Sequence, residues 1–105
     1  MSQAGGLNQY VNVPTPPGNG DGPVLSVSDL VAGKTFFLSG EFVGLFTILG
    51  THDDVRYTPI LFFQGGQGSQ SIRRDVFATL KSIKVRRNAD RDVTINLAAQ
   101  KVCIC

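Results

Sequence analysis

Charged side chains are scarce in this sequence. They make up 17% of its 105 residues, while 42% of the residues are apolar; an average soluble domain is about 25% charged. Tryptophan is absent, histidine occurs once, as His52, and glutamate once, as Glu41. Both cysteines, Cys103 and Cys105, stand at the C-terminal end. Each shortage excludes something. A chain this apolar and this poor in charge is neither disordered throughout nor a coiled coil. The longest apolar stretch, Pro59 to Phe63, is far too short to cross a bilayer. The first residues hold no basic region followed by an apolar one, so no secretory signal is expected, and the cysteines are expected as reduced thiols near a final strand. A Cys-x-Cys pair without His or Cys elsewhere has too few ligands for a closed zinc site. The length is that of one domain.

The charges that are present are unevenly placed. Residues 1–55 hold Lys34 against Asp21, Asp29, Glu41, Asp53 and Asp54, whereas residues 56–105 hold nine Lys and Arg against Asp75, Asp90 and Asp92. Four of the five prolines, Pro14, Pro16, Pro17 and Pro23, fall within residues 1–27, where Asp21 is the one charge. The run from Pro14 to Pro23 cannot be helix and would break a central strand. It predicts an extended, then turn-rich arm over 1–27, reaching at most roughly 90 Å. Tyr10, Val11 and Val13 read as a short edge strand within it. Lacking the charge of a disordered tail, the arm suits a surface that something covers. Tyr10, Val11, Val13, Pro14, Pro16 and Pro17 are its candidate partner-binding residues.

Residues 28–105 read as strands. The expected spans are Thr35–Leu38, Phe42–Gly50, Tyr57–Phe63, Ser71–Phe77, Leu80–Arg87 and Val93–Ala99, with Lys101–Cys105 a seventh or an extension of the sixth. Ser39-Gly40, His52-Asp53-Asp54, the flexible connector Gly65–Ser71 and Asn88-Ala89-Asp90 separate them, all turn chemistry. Asp75–Lys81 is the one helix candidate. Short strands at this spacing predict an all-β fold, an antiparallel β-sandwich of six or seven strands with an extended N-terminal arm. In the last strand Val93, Ile95, Leu97 and Ala99 alternate with Thr94, Asn96 and Ala98, giving one buried and one open face. The Phe42 strand instead carries Phe42, Phe46 and Ile48 on one face and Val43, Leu45 and Leu49 on the other. In the next strand Tyr57, Leu61 and Phe63 back onto Ile60 and Phe62. A domain of this size cannot cover both faces of both strands. Val43, Leu45, Leu49 and Phe62 are therefore the candidate oligomer contact.

Chemical motifs are weak. Ala32-Gly33-Lys34-Thr35 resembles the end of a phosphate-binding loop, but Ser28 replaces the required glycine and a strand follows instead of a helix. His52-Asp53-Asp54 is ordinary hairpin-turn chemistry, without the second His or nucleophile that acid–base work needs. The basic residues Arg73, Arg74, Lys84 and Arg86 lack interleaved outward aromatics, which argues against nucleic acid and for contact with an acidic protein surface or a plain solubilising role. No catalytic constellation, metal site or cofactor is expected.

Ser39-Gly40-Glu41-Phe42-Val43-Gly44, then Thr47 to Ile60, then Ile83-Lys84-Val85-Arg86-Arg87 and Asp92-Val93-Thr94-Ile95-Asn96-Leu97 form a strand-and-turn pattern. It resembles small β-sandwich structural proteins of tailed bacteriophage virions, over about residues 35–99. Asp54, where a turn glycine is usual, and the proline-rich arm depart from the pattern. The resemblance implies an immunoglobulin-like sandwich in a virion protein assembled in the host cytoplasm, of the capsid decoration or cement type. Its expected partners are the major capsid protein or another virion protein and further copies of itself, a trimer being the expected form, with no nucleic acid and no membrane. The alternatives are a tail or baseplate adaptor, and a carbohydrate- or receptor-binding module on a tail fibre. The absence of Trp and the presence of only Tyr10 and Tyr57 count against a sugar site.

Overall fold

The computed structural model describes residues 8–102. Alternating apolar side chains and frequent turn residues produce nine strands and, among the described residues, no helix. In chain order they are β1 (Asn8–Val13), β2 (Gly20–Asp21), β3 (Leu25–Ser26), β4 (Leu30–Glu41), β5 (Gly44–Thr51), β6 (Thr58–Gly65), β7 (Ser69–Phe77), β8 (Ser82–Ala89) and β9 (Thr94–Lys101). They form two antiparallel sheets, ordered β1-β9-β4-β7 and β2-β8-β5-β6, with β3 also beside β8. The sheets pack as a β-sandwich, as the strand spacing predicts. Asp75–Lys81 is not a helix. Phe77 pairs with Gly33 and Asp75 with Thr35, whose hydroxyl donates to the Asp75 carboxylate at 2.8 Å, so β7 runs on through both residues. The last strand extends through Lys101; Cys103 and Cys105 lie outside the described residues.

The core lies between the sheets. Phe36, Leu38, Ile95 and Leu97 from one sheet meet Phe46, Ile48, Phe63, Ile83 and Val85 from the other. Phe42, in the link from β4 to β5, turns its ring edge-on to Phe46 at 5.0 Å between centroids. That ring needs a floor without side chains. A Cβ on Gly65 would sit 2.6 Å from it, and Gly44, at φ +136°, has the Asn88 carbonyl where its Cβ would be.

A bulge changes the expected facing of β6. Ile48 pairs with Leu61 but Leu49 pairs with Pro59, so Ile60 is an extra residue in β6. Ile60 and Leu61 consequently both pack against the core, and Phe62 is left pointing outward. Pro59 is tolerated because β6 is an edge strand.

The described part of the N-terminal segment is not an arm separate from the sandwich. β1 pairs in continuous register with β9, from Asn8 opposite Gln100 to Val13 opposite Ile95. Val13 and Val27 belong to the core. β2 and β3 cover part of the free edge of β8. The physical reason is that β9 is apolar along one face and would otherwise present an unpaired edge. The proline run crosses one end of the sandwich, where Arg87 holds it. Arg87 is buried and donates to the carbonyl oxygens of Pro17 (2.9 Å), Ala89 (3.3 Å) and Pro16 (3.5 Å). Asn19 adds an acceptor for the Ala89 amide at 3.1 Å.

At the opposite end the ammonium of Lys34, also buried, donates to the carbonyls of Ala78 (2.7 Å) and Val31 (2.8 Å). Burial lowers its pKa below the ordinary lysine value. Each end is thus closed by a cation bonded to main-chain carbonyls.

Two outcomes follow. Deleting residues 1–23 removes β1, β2 and Val13, so it lowers the melting temperature measured by circular dichroism and exposes the β9 edge to aggregation. An arm lying on a neighbour would instead leave folding unchanged. Arg87→Met removes charge-assisted bonds worth about 2 kcal/mol in sum, which urea denaturation reads as a lower midpoint at unchanged slope.

Candidate interaction surface

The outer face of the β2-β8-β5-β6 sheet is built in rows fixed by the register. One row runs Phe62, Thr47, Arg86, Asp21; beside it lie Gln64, Leu45, Asn88 on one side and Pro59, Leu49, Lys84 on the other. Phe62 is 55% exposed and Val43, just before β5, is 56% exposed. Asp90 fixes Val43 in place: its carboxylate accepts the Val43 amide at 2.7 Å, and its own amide donates to the Val43 carbonyl at 3.1 Å. Leu45 is half-buried. Leu49 does not belong to the exposed patch. It is 2% exposed, flanked in register by Pro59 and Lys84. The Lys84 ammonium lies 4.3 Å from the centre of the Tyr57 ring, so the outer end of this row folds over rather than opening to water.

The charged half of this face centres on Asp21. Its carboxylate receives Arg86 Nε at 2.6 Å and Lys84 Nζ at 3.0 Å. Hydrogen bonds from Arg86 and then Lys84 hold the Asp21 pKa down at about 2. The same bond to Asp21 raises the pKa of Arg86. These two cations are therefore already paired within the chain.

The four basic candidates do not share one face. Lys84 and Arg86 lie on the outer face of one sheet, while Arg73 and Arg74 are consecutive in β7, on the other sheet, and point to opposite sides of it. Arg73 contacts Asp75 at 3.4 Å and sits 6.0 Å from the Phe37 ring centre. Arg74 is exposed, and the bond shown for it goes to the Arg73 carbonyl at 2.9 Å. The strands that carry these residues belong to different sheets, which sequence spacing does not reveal.

The arm candidates separate as well. Val13 is in the core and Pro16 is buried, so neither is available to a partner. Tyr10 is 76% exposed, Pro17 is exposed, and Val11 and Pro14 are half-buried. Tyr10 stands on the outer face of the β1-β9-β4-β7 sheet, in a row with Ala98, Thr35 and Asp75. Together with Phe77, which is 88% exposed, it borders an open groove of about 470 Å³ floored by small residues including Gly33 and Ala98. Sequence reasoning missed Phe77, because the expected helix hid its outward position at the end of β7.

The chemical motifs resolve into structure. Lys34 lies within β4 and turns its ammonium to carbonyls rather than to a loop that cradles phosphate. Asp53 forms a turn: one carboxylate oxygen accepts the Val55 and Arg56 amides, each at 2.9 Å, and the Thr51 hydroxyl at 3.0 Å. Those bonds, led by Arg56, lower its pKa. Asp54 takes φ +62°, the left-handed conformation that glycine favours, and its carboxylate meets Lys81 at 3.2 Å. Among the described residues, no group of three or more His, Cys, Asp or Glu is placed to hold a metal ion.

The Asp21 cluster has a pH signature. A depressed folded pKa contributes stability above about pH 4, and that contribution is lost as pH falls toward about 2. Asp21→Asn is therefore less heat-stable than the wild type near neutral pH. The difference in melting temperature shrinks as both proteins are taken toward pH 2; a difference independent of pH contradicts this. No family model, curated protein or solved structure matches this chain, so its functional reading stands on these surfaces and on the strand pattern of the sequence.

Proposed function

We propose that the protein is a non-enzymatic structural component of a bacteriophage virion. In this reading it decorates or cements the capsid, bridging major capsid protein subunits as a homo-oligomer. The observation that carries the proposal is the outer face bearing Phe62 and Val43. Both are large and exposed; Phe62 stands on β6, Val43 in the bend before β5 where Asp90 holds it, and neither belongs to the core between the sheets. Burying a side chain of this kind contributes about 1.5–3 kcal/mol, and aromatic residues are enriched in protein interfaces. Repetition over a shell multiplies weak contacts through effective concentration. The resemblance to virion β-sandwich proteins supplies the setting.

A tail or baseplate adaptor would use the same face on a different neighbour. A carbohydrate-binding module is favoured by one specific observation, the groove between Tyr10 and Phe77. There exposed rings stand on the same outer face as Gln100, a neutral hydrogen-bonding residue. Tyr57 is not its platform, since Lys84 covers that ring.

Co-sedimentation with shells of major capsid protein tests the proposal. The pair Val43→Asp and Phe62→Asp lowers the bound fraction at least tenfold while the melting temperature stays near that of wild type. Phe77→Ala binds shells normally. Undiminished binding of the double variant removes this face from the function. A glycan-array signal lost on Tyr10→Ala selects the sugar reading instead.

A further inference from the structure

The four sheet edges are not alike. A sheet edge presents a row of unpaired N–H and C=O groups, and proteins guard such rows with charge, proline, bulges or very short strands. β7 is guarded by Arg73, Arg74 and Asp75. β6 carries Pro59 and the bulge at Ile60, and it lies on the same side of the sandwich as β7. The β2–β3 edge consists of two strands of two residues each, carries Asp21 and is interrupted by Pro23. β1 has none of these devices. Asn8–Val13 contains no charge and no proline, and its register with β9 runs without a shift. Its side chains alternate: Val11, opposite the buried Leu97, faces the space between the sheets, and Tyr10, opposite Ala98, faces outward. Val11 is only half-buried, and among the described residues no strand lies beyond β1.

We infer that β1 is the self-association edge of the protein: two copies join β1 to β1, antiparallel, around a two-fold axis normal to the sheet. A second copy is the occupant that fits. An isologous contact closes with a single partner, and an axis normal to the sheet keeps inner and outer faces matched. With the axis at Val11, the two Val11 side chains meet and close the open side of both cores. Each Tyr10 then stands opposite Asn12 of the other copy on the outer face. The two four-stranded sheets become one of eight strands, bonded through main-chain groups that have no strand partner among the described residues. A dimer replaces the trimer expected from the sequence. The inference takes from the proposed function only that copies associate; it does not depend on a capsid.

Sedimentation equilibrium tests it on the full chain. At about 100 µM the wild type has twice the 11.3 kDa mass of one chain. Tyr10→Lys with Asn12→Lys places lysine opposite lysine across the axis, so this variant sediments as a monomer with an unchanged circular dichroism spectrum. Tyr10→Glu with Asn12→Glu does the same. Mixing the two variants restores the dimer, a rescue that a folding defect would not show. A monomeric wild type, a trimer, a lysine variant that remains dimeric, or a mixture that stays monomeric overturns the inference. Binding to shells is read separately: a dimer that binds no shell leaves the edge pairing standing and removes the decoration role.

Discussion

The structure depends on where β9 lies. It is an inner strand, with β4 on one side and β1 on the other. Its alternation buries Ile95 and Leu97 completely and leaves Thr94 exposed. An apolar strand of this kind needs both edges paired, and only residues near the N-terminus are positioned to pair the second. That requirement draws Asn8–Val13 into the fold and brings Val13 into the core. It also forces the proline run to cross the end of the sandwich to reach β2. Arg87 is the device that makes this crossing stable, because the carbonyls of Pro16 and Pro17 have no strand partner and need a donor.

The same constraint decides which surfaces remain for function. Residues 8–13, 20–21 and 25–26 pair with strands of their own chain rather than standing apart from the sandwich. Among the apolar side chains that remain exposed are Val43 and Phe62 at one sheet and Tyr10 and Phe77, which border the groove, at the other. The basic residues contribute less than their number suggests. Asp21 already neutralises much of Lys84 and Arg86, and Lys34 and Arg87 are buried at opposite ends. The low charge of the sequence therefore has two origins: a well-filled core, and outer faces of low polarity.

Much of this was legible in the residues. The alternation from Val93 to Ala99 marks a half-buried strand, and the two-faced run from Phe42 to Leu49 marks a strand with apolar side chains left over. Val43 follows from that alternation, Phe62 from the two-faced run of the next strand, and both are exposed. The errors arose where neighbours distant in sequence decide. The alternation puts Leu49 outward, yet it is buried, flanked in register by Lys84 and Pro59, which are far apart in the chain. Ile60 faces the core because of a bulge, which no local pattern marks. Val11 and Val13 read as an edge strand, yet their partner is more than 80 residues along the chain, so the segment looked separable. Arg87 sits in a run of basic residues, and only the register of β8 shows that it faces inward while Arg86 faces out.

Residues 8–27 belong to the fold of the single chain, and the proposed assembly uses the surfaces left outside it. Hydrogen–deuterium exchange on dilute, monomeric protein tests this most directly. Amides of β1 bonded to β9, and the Val27 amide bonded to the Lys81 carbonyl, are expected to exchange as slowly as those of β4 and to open together with them. Exchange of residues 8–27 at the rate of an unstructured peptide, with the rest of the sandwich protected, would contradict it.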